Sequence, residues 1–215
     1  MRRLILSLLI PLLAVIAPGA AFASFDTTLQ AAQRYLLLYS ATGDERFLLR
    51  LENLDARFQA QVDAQGNSAT LRDVWELYGE TVRRVADGYI SSGRALREAL
   101  AQALEVSALL QELRIDTPAA GGAAGLADNL QRLALLQARI ANRRLLGEEV
   151  GGLQERIAGV RDTLEAQFAA LPSTPEGEAM RARWRYLRLT ERPTGTLLYP
   201  FNAQVEHLLE RLGDG

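Results

Sequence analysis
Val74–Leu110 reads VWELYGETVRRVADGYISSGRALREALAQALEVSALL, and its spacing decides the fold class. Val74, Tyr78, Val82, Val85, Tyr89, Leu96, Leu100, Ala103, Ser107 and Leu110 recur along it. With Ser92 at the one vacant step, ten steps cover 36 residues, the 3.6-residue period of an α-helix. The same period continues on the far side of a Gly/Ala-rich connector, in Leu126, Leu130, Leu133, Leu136 and Ile140. It resumes from Leu146 through Val150, Leu153, Ile157, Val160, Leu164, Phe168 and Leu171. No alternating polar–apolar run of strand type interrupts it. Turn composition marks Gln65–Ser68, Asp116–Gly125 and Pro172–Pro175 as loops, and Thr174 before Pro175 reads as an N-cap followed by proline at the first helical position. The sequence therefore predicts an all-α chain of four long helices, about 25–64, 69–115, 126–171 and 175–213. Short connections between long amphipathic helices imply an antiparallel up-down-up-down four-helix bundle.

The first 23 residues carry an address. Arg2 and Arg3 precede a nearly unbroken apolar run, Leu4–Ala17; Pro18-Gly19 breaks it, and Ala21-Phe22-Ala23 has the small-x-small pattern of a cleavage site. The run is short for a membrane span, which takes roughly 20 apolar residues. The expectation is a cleaved signal peptide over 1–23 and a single exported domain over 24–215, in the periplasm or beyond. An uncleaved signal anchor is the alternative. No cysteine follows the run, so a lipoprotein anchor is not expected. Losing Arg2 and Arg3 takes the net charge from −2 to −4. All cations are arginine, a codon-usage effect, and the acidic balance argues against nucleic-acid binding.

Each predicted helix is weakened near its middle: Thr42-Gly43-Asp44-Glu45, where Thr42 and Glu45 have capping-box spacing; Gly88 to Gly93; Gly147 with Gly151-Gly152; and Pro193-Thr194-Gly195. With hairpin turns centred near 66, 120 and 173, all four breaks fall at about one level of the bundle. That level is polar, and Arg143-Arg144 interrupts the apolar stripe of the third helix. Such a waist admits close packing with internal ion pairs, two stacked modules, or a small-molecule pocket. Arg143, Arg144, Tyr39, Asp44, Tyr89 and Arg192 are the candidate ligand contacts, for an anionic solute that would satisfy the arginines.

Familiar chemistries lack their parts. Cysteine is absent, so disulfides and thiolate metal sites are excluded. His207 is the single histidine; zinc and di-iron sites need more ligands. His207 and Met180 cannot flank a haem, since 27 residues of continuous helix separate them by about 40 Å. Gly121-Gly122 has no preceding strand and is not a phosphate loop. No cofactor, metal or enzymatic activity is expected.

The last predicted helix concentrates Trp184 among Arg181, Arg185 and Arg188, a basic stripe at i, i+4 and i+7. Core packing is one reading of Trp184; the other is an arginine–aromatic surface for a partner, since these residue types favour interface hot spots.

Arg34–Leu48 reads RYLLLYSATGDERFL. It resembles the Y-L-x-T-G-D-x-x-F-L segment of the periplasmic helical-bundle sensor domains of bacterial chemoreceptors and histidine kinases, including the CHASE-type and helical-bimodular classes. The resemblance implies a sensor-like bundle and makes a homodimer an option. Those sensors also carry a second membrane span and cytoplasmic signalling modules, which these 215 residues do not contain. Two functions are thus expected from the sequence: binding of another envelope protein, or binding of a small anionic solute at the polar waist.

Overall fold
The computed structural model describes residues 24–91, 93–113, 122–191 and 198–213. Residues 1–23, with the expected signal peptide, and Arg192 lie outside them. The chain is all-α, with eight helices among the described residues: α1 (Phe25–Thr42), α2 (Arg46–Val62), α3 (Ser68–Ser91), α4 (Arg94–Leu113), α5 (Gly122–Leu146), α6 (Gly151–Ala169), α7 (Pro175–Thr190) and α8 (Leu198–Gly213).

The four long helices of the sequence reading are therefore replaced by eight of about half the length. The predicted mid-helix breaks that fall on described residues, between α1 and α2, α3 and α4, and α5 and α6, are chain reversals. Gly43 (φ 69°) and Gly147 (φ 73°) end α1 and α5 in the left-handed region, where glycine carries no Cβ penalty. At the first, the Gly43 N–H donates to the Tyr39 carbonyl (2.7 Å). At the second, Gly147 donates to Arg144 (3.1 Å) and Glu148 to Arg143 (2.8 Å), a Schellman pattern. The expected Thr42–Glu45 box does not form: the Thr42 hydroxyl donates back to the Leu38 carbonyl, and Asp44 instead accepts the Arg46 N–H (3.1 Å). The Thr174 cap does form, accepting from the Gly177 N–H (3.2 Å) with Pro175 next in the chain.

Burial explains why the halves fold back. Every residue from Thr27 to Tyr39 is buried, on all faces of α1, and a helix apolar all round needs neighbours on every side. A straight four-helix bundle covers only one side of each helix. Here α1 packs against α2, α3 and α4 of its own module and against α5 of the other.

Two antiparallel four-helix modules result, α1–α4 and α5–α8, lying side by side. Helices α1, α3, α5 and α7 end at one end of the molecule, called here the upper end, and α2, α4, α6 and α8 begin there. The single stripe predicted along Val74–Leu110 is divided between α3 and α4, and both parts face one core, with Leu71, Trp75, Tyr78, Val85, Leu100, Ala103 and Leu110 buried beside Phe58. Leu164, Phe168, Trp184, Leu187, Val205 and Leu208 fill the other. The modules meet mainly along α1 and α5. These helices run parallel: Ser24 and Thr27 bond Asp128 at the lower end, Gln33 bonds Arg139, and Asn142 donates to Ser40 (2.8 Å) towards the upper end. Leu135 and Ala138 of α5 complete the first module's core.

Candidate functional site
The three breaks that fall on described residues, at Gly43, Gly93 and Gly147, do share a level, but that level is the upper end and not a waist; the fourth, Pro193-Thr194-Gly195, lies outside the described residues. The polar level of the sequence reading is accordingly one end of the molecule, over which Tyr39, Asp44, Tyr89, Arg143 and Arg144 are distributed, while Arg192 lies outside the described residues. Tyr39 is buried, its ring 5.4 Å from that of Tyr89 at 44°. Burial chiefly, with help from the charges of Glu45 and Asp87, pushes the Tyr39 phenol above its ordinary value. Gly43 abuts the Tyr89 ring and leaves no room for a β-carbon. Asp44 is held by Arg46 through Nε (2.9 Å) and Nη2 (2.5 Å), hydrogen bonds that keep its carboxyl below the usual range. Arg143 is exposed, 3.7 Å from Glu148 and donating to the Glu149 carbonyl (3.2 Å). Arg144 lies beside it in the last turn of α5. The structure therefore joins Tyr39 to Tyr89 and Ser40 to Asn142, while Asp44 and Arg143 are engaged by their own loops.

The arginine–aromatic surface on the last predicted helix is also corrected. Trp184 is a core residue, stacked on Phe168 with centroids 4.9 Å apart at 10°. Arg181 donates to the Leu171 carbonyl (2.8 Å) and closes the α6–α7 turn. Arg188 bridges Glu165 (3.3 Å) and Glu191 (2.5 Å). Arg185 remains exposed, its Nε 3.4 Å from the Arg181 carbonyl. A stripe at helical spacing on a single strand of sequence does not reveal that the preceding helix supplies its acceptors.

The sequence reading missed a second cluster, at the junction of the modules. Arg34 is fully buried in α1, and its Nη2 pairs with Glu206 of α8. The Tyr35 hydroxyl lies 3.0 Å from both Glu206 oxygens, and Arg50 Nη1 of α2 lies 2.6 Å from Oε2. The Arg34 guanidinium stands 4.7 Å from the Tyr35 ring centroid. Three side chains of the first module thus converge on one carboxylate of the second. Burial pulls the Arg34 pKa down, yet arginine remains charged. Its Nε and Nη1 have no hydrogen-bond partner among the described residues. Arg34 and Tyr35 stand within the sensor-like motif, and an arginine directly ahead of the apolar run Tyr35–Tyr39 was the available signal.

Elsewhere, Glu191 caps the top of α7 with a nearly buried carboxylate that accepts from Gln137, Arg161 (2.7 Å) and Arg188. An open polar groove between α3 and α4 is bordered by Arg84, Asp87, Glu98 and Gln102. Among the described residues no group of three His, Asp or Glu side chains is arranged to hold a metal ion, and no helix is long and apolar enough to cross a membrane. Large apolar side chains are exposed mainly at the upper end: Leu49 in the second turn or earlier of α2, Tyr89 near the end of α3, Leu145 and Leu146 closing α5, and Tyr186 and Leu189 closing α7. Leu189 is the most exposed of them at 77%. Comparison with protein-family models, curated proteins and solved structures finds no match.

Proposed function
We propose that this is an exported, non-enzymatic helical protein that binds another protein of the cell envelope through its upper end. The observation that carries the reading is the collection of Leu49, Leu145, Leu146, Tyr186 and Leu189 as exposed apolar side chains at that end, beside Arg46, Arg143 and Arg144. Large apolar side chains left exposed at one end of a molecule suit an interaction surface, and leucine and tyrosine with nearby arginine suit a protein partner that offers apolar and acidic side chains. The N-terminal signal pattern supports the location. The surface is the upper end and not the Trp184 stripe, because that tryptophan is in the core.

A photo-crosslinking side chain placed at Leu145 or Leu189 in the exporting cell should form an adduct with an envelope protein, and one placed at Leu109, exposed far from that end, should not. Equal labelling at all three positions, or none, rules the surface out.

A second reading, binding of a small anionic solute, is favoured by one observation: the two unpartnered donors of buried Arg34. An anion at about 100 times its dissociation constant would raise the melting temperature by roughly 5–10 °C. The shift should vanish in Arg34→Gln; a shift that persists there excludes Arg34 as the contact.

A further inference from the structure
We propose that the chain is an internal duplication, two copies of one four-helix module paired through the α1–α5 seam as a pseudo-dimer, and that the Arg34–Glu206 clamp directs α1 to α5 instead of to a second copy of itself. This does not rest on the partner-binding reading above.

The repeat is structural. Seam positions Ser24, Thr27, Ala31, Arg34 and Leu38 are spaced 3, 4, 3 and 4 residues apart, the a/d rhythm of a two-helix seam. A shift of 104 residues gives Asp128, Gln131, Leu135, Ala138 and Asn142 with the same spacing, and carries the left-handed cap Gly43 onto Gly147. A shift of 109 carries the buried α3 residues Leu71, Trp75 and Tyr78 onto Met180, Trp184 and Leu187 of α7. A shift of 102 carries Ala99, Leu100 and Ala103 of α4 onto Phe201, Asn202 and Val205 of α8, all buried. In each module a phenylalanine of the second helix stacks on the tryptophan of the third: Phe58 on Trp75 (4.2 Å, 7°) and Phe168 on Trp184 (4.9 Å, 10°). Because α1 and α5 are parallel and close to in register, each seam residue lies level with its own counterpart. A two-fold axis along the helices requires that arrangement, as in an isologous dimer.

The clamp breaks the symmetry. The counterpart of Arg34 is Ala138, and the counterpart of Glu206, by the α4–α8 shift, is Leu104. Ala138 and Leu104 belong to one apolar cluster. One of the two equivalent positions is thus ionic and the other apolar. If α1 met a second α1 in this register, Arg34 would face Arg34 at a buried layer, and like charges there cost several kcal/mol. Against α5 it faces alanine and reaches Glu206. The seam is therefore specific for its partner within the same chain, and the protein is a monomer that supplies both halves of the interface.

The chain has no cysteine, so introduced pairs report without background. Oxidised Ala31→Cys/Leu135→Cys in the full chain should form a disulfide within one chain. Ala31→Cys alone should give no covalent dimer; efficient dimers from that single variant overturn the pairing. The duplication has its own test. Ala138→Arg should lower the melting temperature, and adding Leu104→Glu, which rebuilds the clamp at the equivalent position, should recover at least half of the loss. Exposed Ala101→Glu should recover none. A further loss with Leu104→Glu, or equal recovery with Ala101→Glu, overturns the equivalence.

Discussion

In the first module Phe58 stacks on Trp75, and the indole N–H donates to Asp55 (2.8 Å). In the second, Phe168 stacks on Trp184, and that N–H is buried without an acceptor among the described residues. The packing plan is shared while the polar matching differs. Apolar stacking tolerates exchange of one ring for another of similar volume, whereas each buried donor needs its own acceptor. The same contrast separates cores from seam: the cores are apolar, and the seam is threaded by Asp128, Gln33, Arg34, Arg139 and Asn142. Polar seams specify register at some cost in stability.

The largest expected effect breaks the junction. Glu206→Leu strands a fully buried guanidinium and should cost about 3–5 kcal/mol, read as the midpoint of urea unfolding. Arg34→Met with Glu206→Leu should recover most of it, because two apolar side chains can replace a buried pair at little cost. If the double variant is as unstable as the single one, Arg50 and Tyr35 rely on Glu206 more than Arg34 does.

Next comes a difference in alkaline sensitivity. Burial raises the phenol of Tyr78 far above its usual value, and Tyr39 shifts the same way; both belong to the first module. A raised folded-state pKa favours the protonated form. The stability it represents is complete below the unfolded value, about pH 10, and falls as pH rises beyond it, by about 1.4 kcal/mol per pH unit for Tyr78. Amide exchange across pH 9–11, corrected for intrinsic rates, should show α1 and α3 losing protection before α5 and α7. Simultaneous loss would mean that the two modules unfold as one cooperative unit.

The helical period of Val74–Leu110 was legible because burial imposes it directly: Tyr78, Val85, Leu100, Ala103 and Leu110 all face the core. The reversals were legible as weak points and not as turns. Composition places Gly43 and Gly147, but only the all-round burial of α1 makes a fold-back necessary, and that depends on which helices surround it. The Arg181 and Arg188 stripe misled because its acceptors, Leu171 O and Glu165, belong to another helix. Glu206 was unreadable as a site residue for the same reason: its partners stand about 170 residues upstream, Arg34 by 172 and Tyr35 by 171. The repeat stayed hidden because its shift changes from 104 to 109 to 102 along the chain, as turns of different length intervene.

The two left-handed glycines offer a finer comparison. Gly147 has open space where a β-carbon would go, so Gly147→Ala should cost only the conformational term, about 1–2 kcal/mol. Gly43 meets the Tyr89 ring as well, and Gly43→Ala should cost more. In a Tyr89→Ala background the extra cost should disappear, bringing the two substitutions level in thermal unfolding. A gap that persists would place the penalty in the α1–α2 turn itself.

The smallest effect returns to the two tryptophans. Trp75→Phe and Trp184→Phe each lose similar ring area, but only the first also breaks a hydrogen bond, while the second removes an unpartnered donor. A hydrogen bond contributes about 0.5–1.5 kcal/mol net, and an unmatched buried donor is itself unfavourable. Trp75→Phe should therefore be the more destabilising by about 1 kcal/mol, measured by urea unfolding of both variants side by side. Adding Asp55→Ala should cost little more in the Trp75→Phe background, since the indole that bonded it is already gone. Should Trp184→Phe prove the worse of the two, its N–H has an acceptor in solution, and the polar matching of the modules is closer than their geometry indicates.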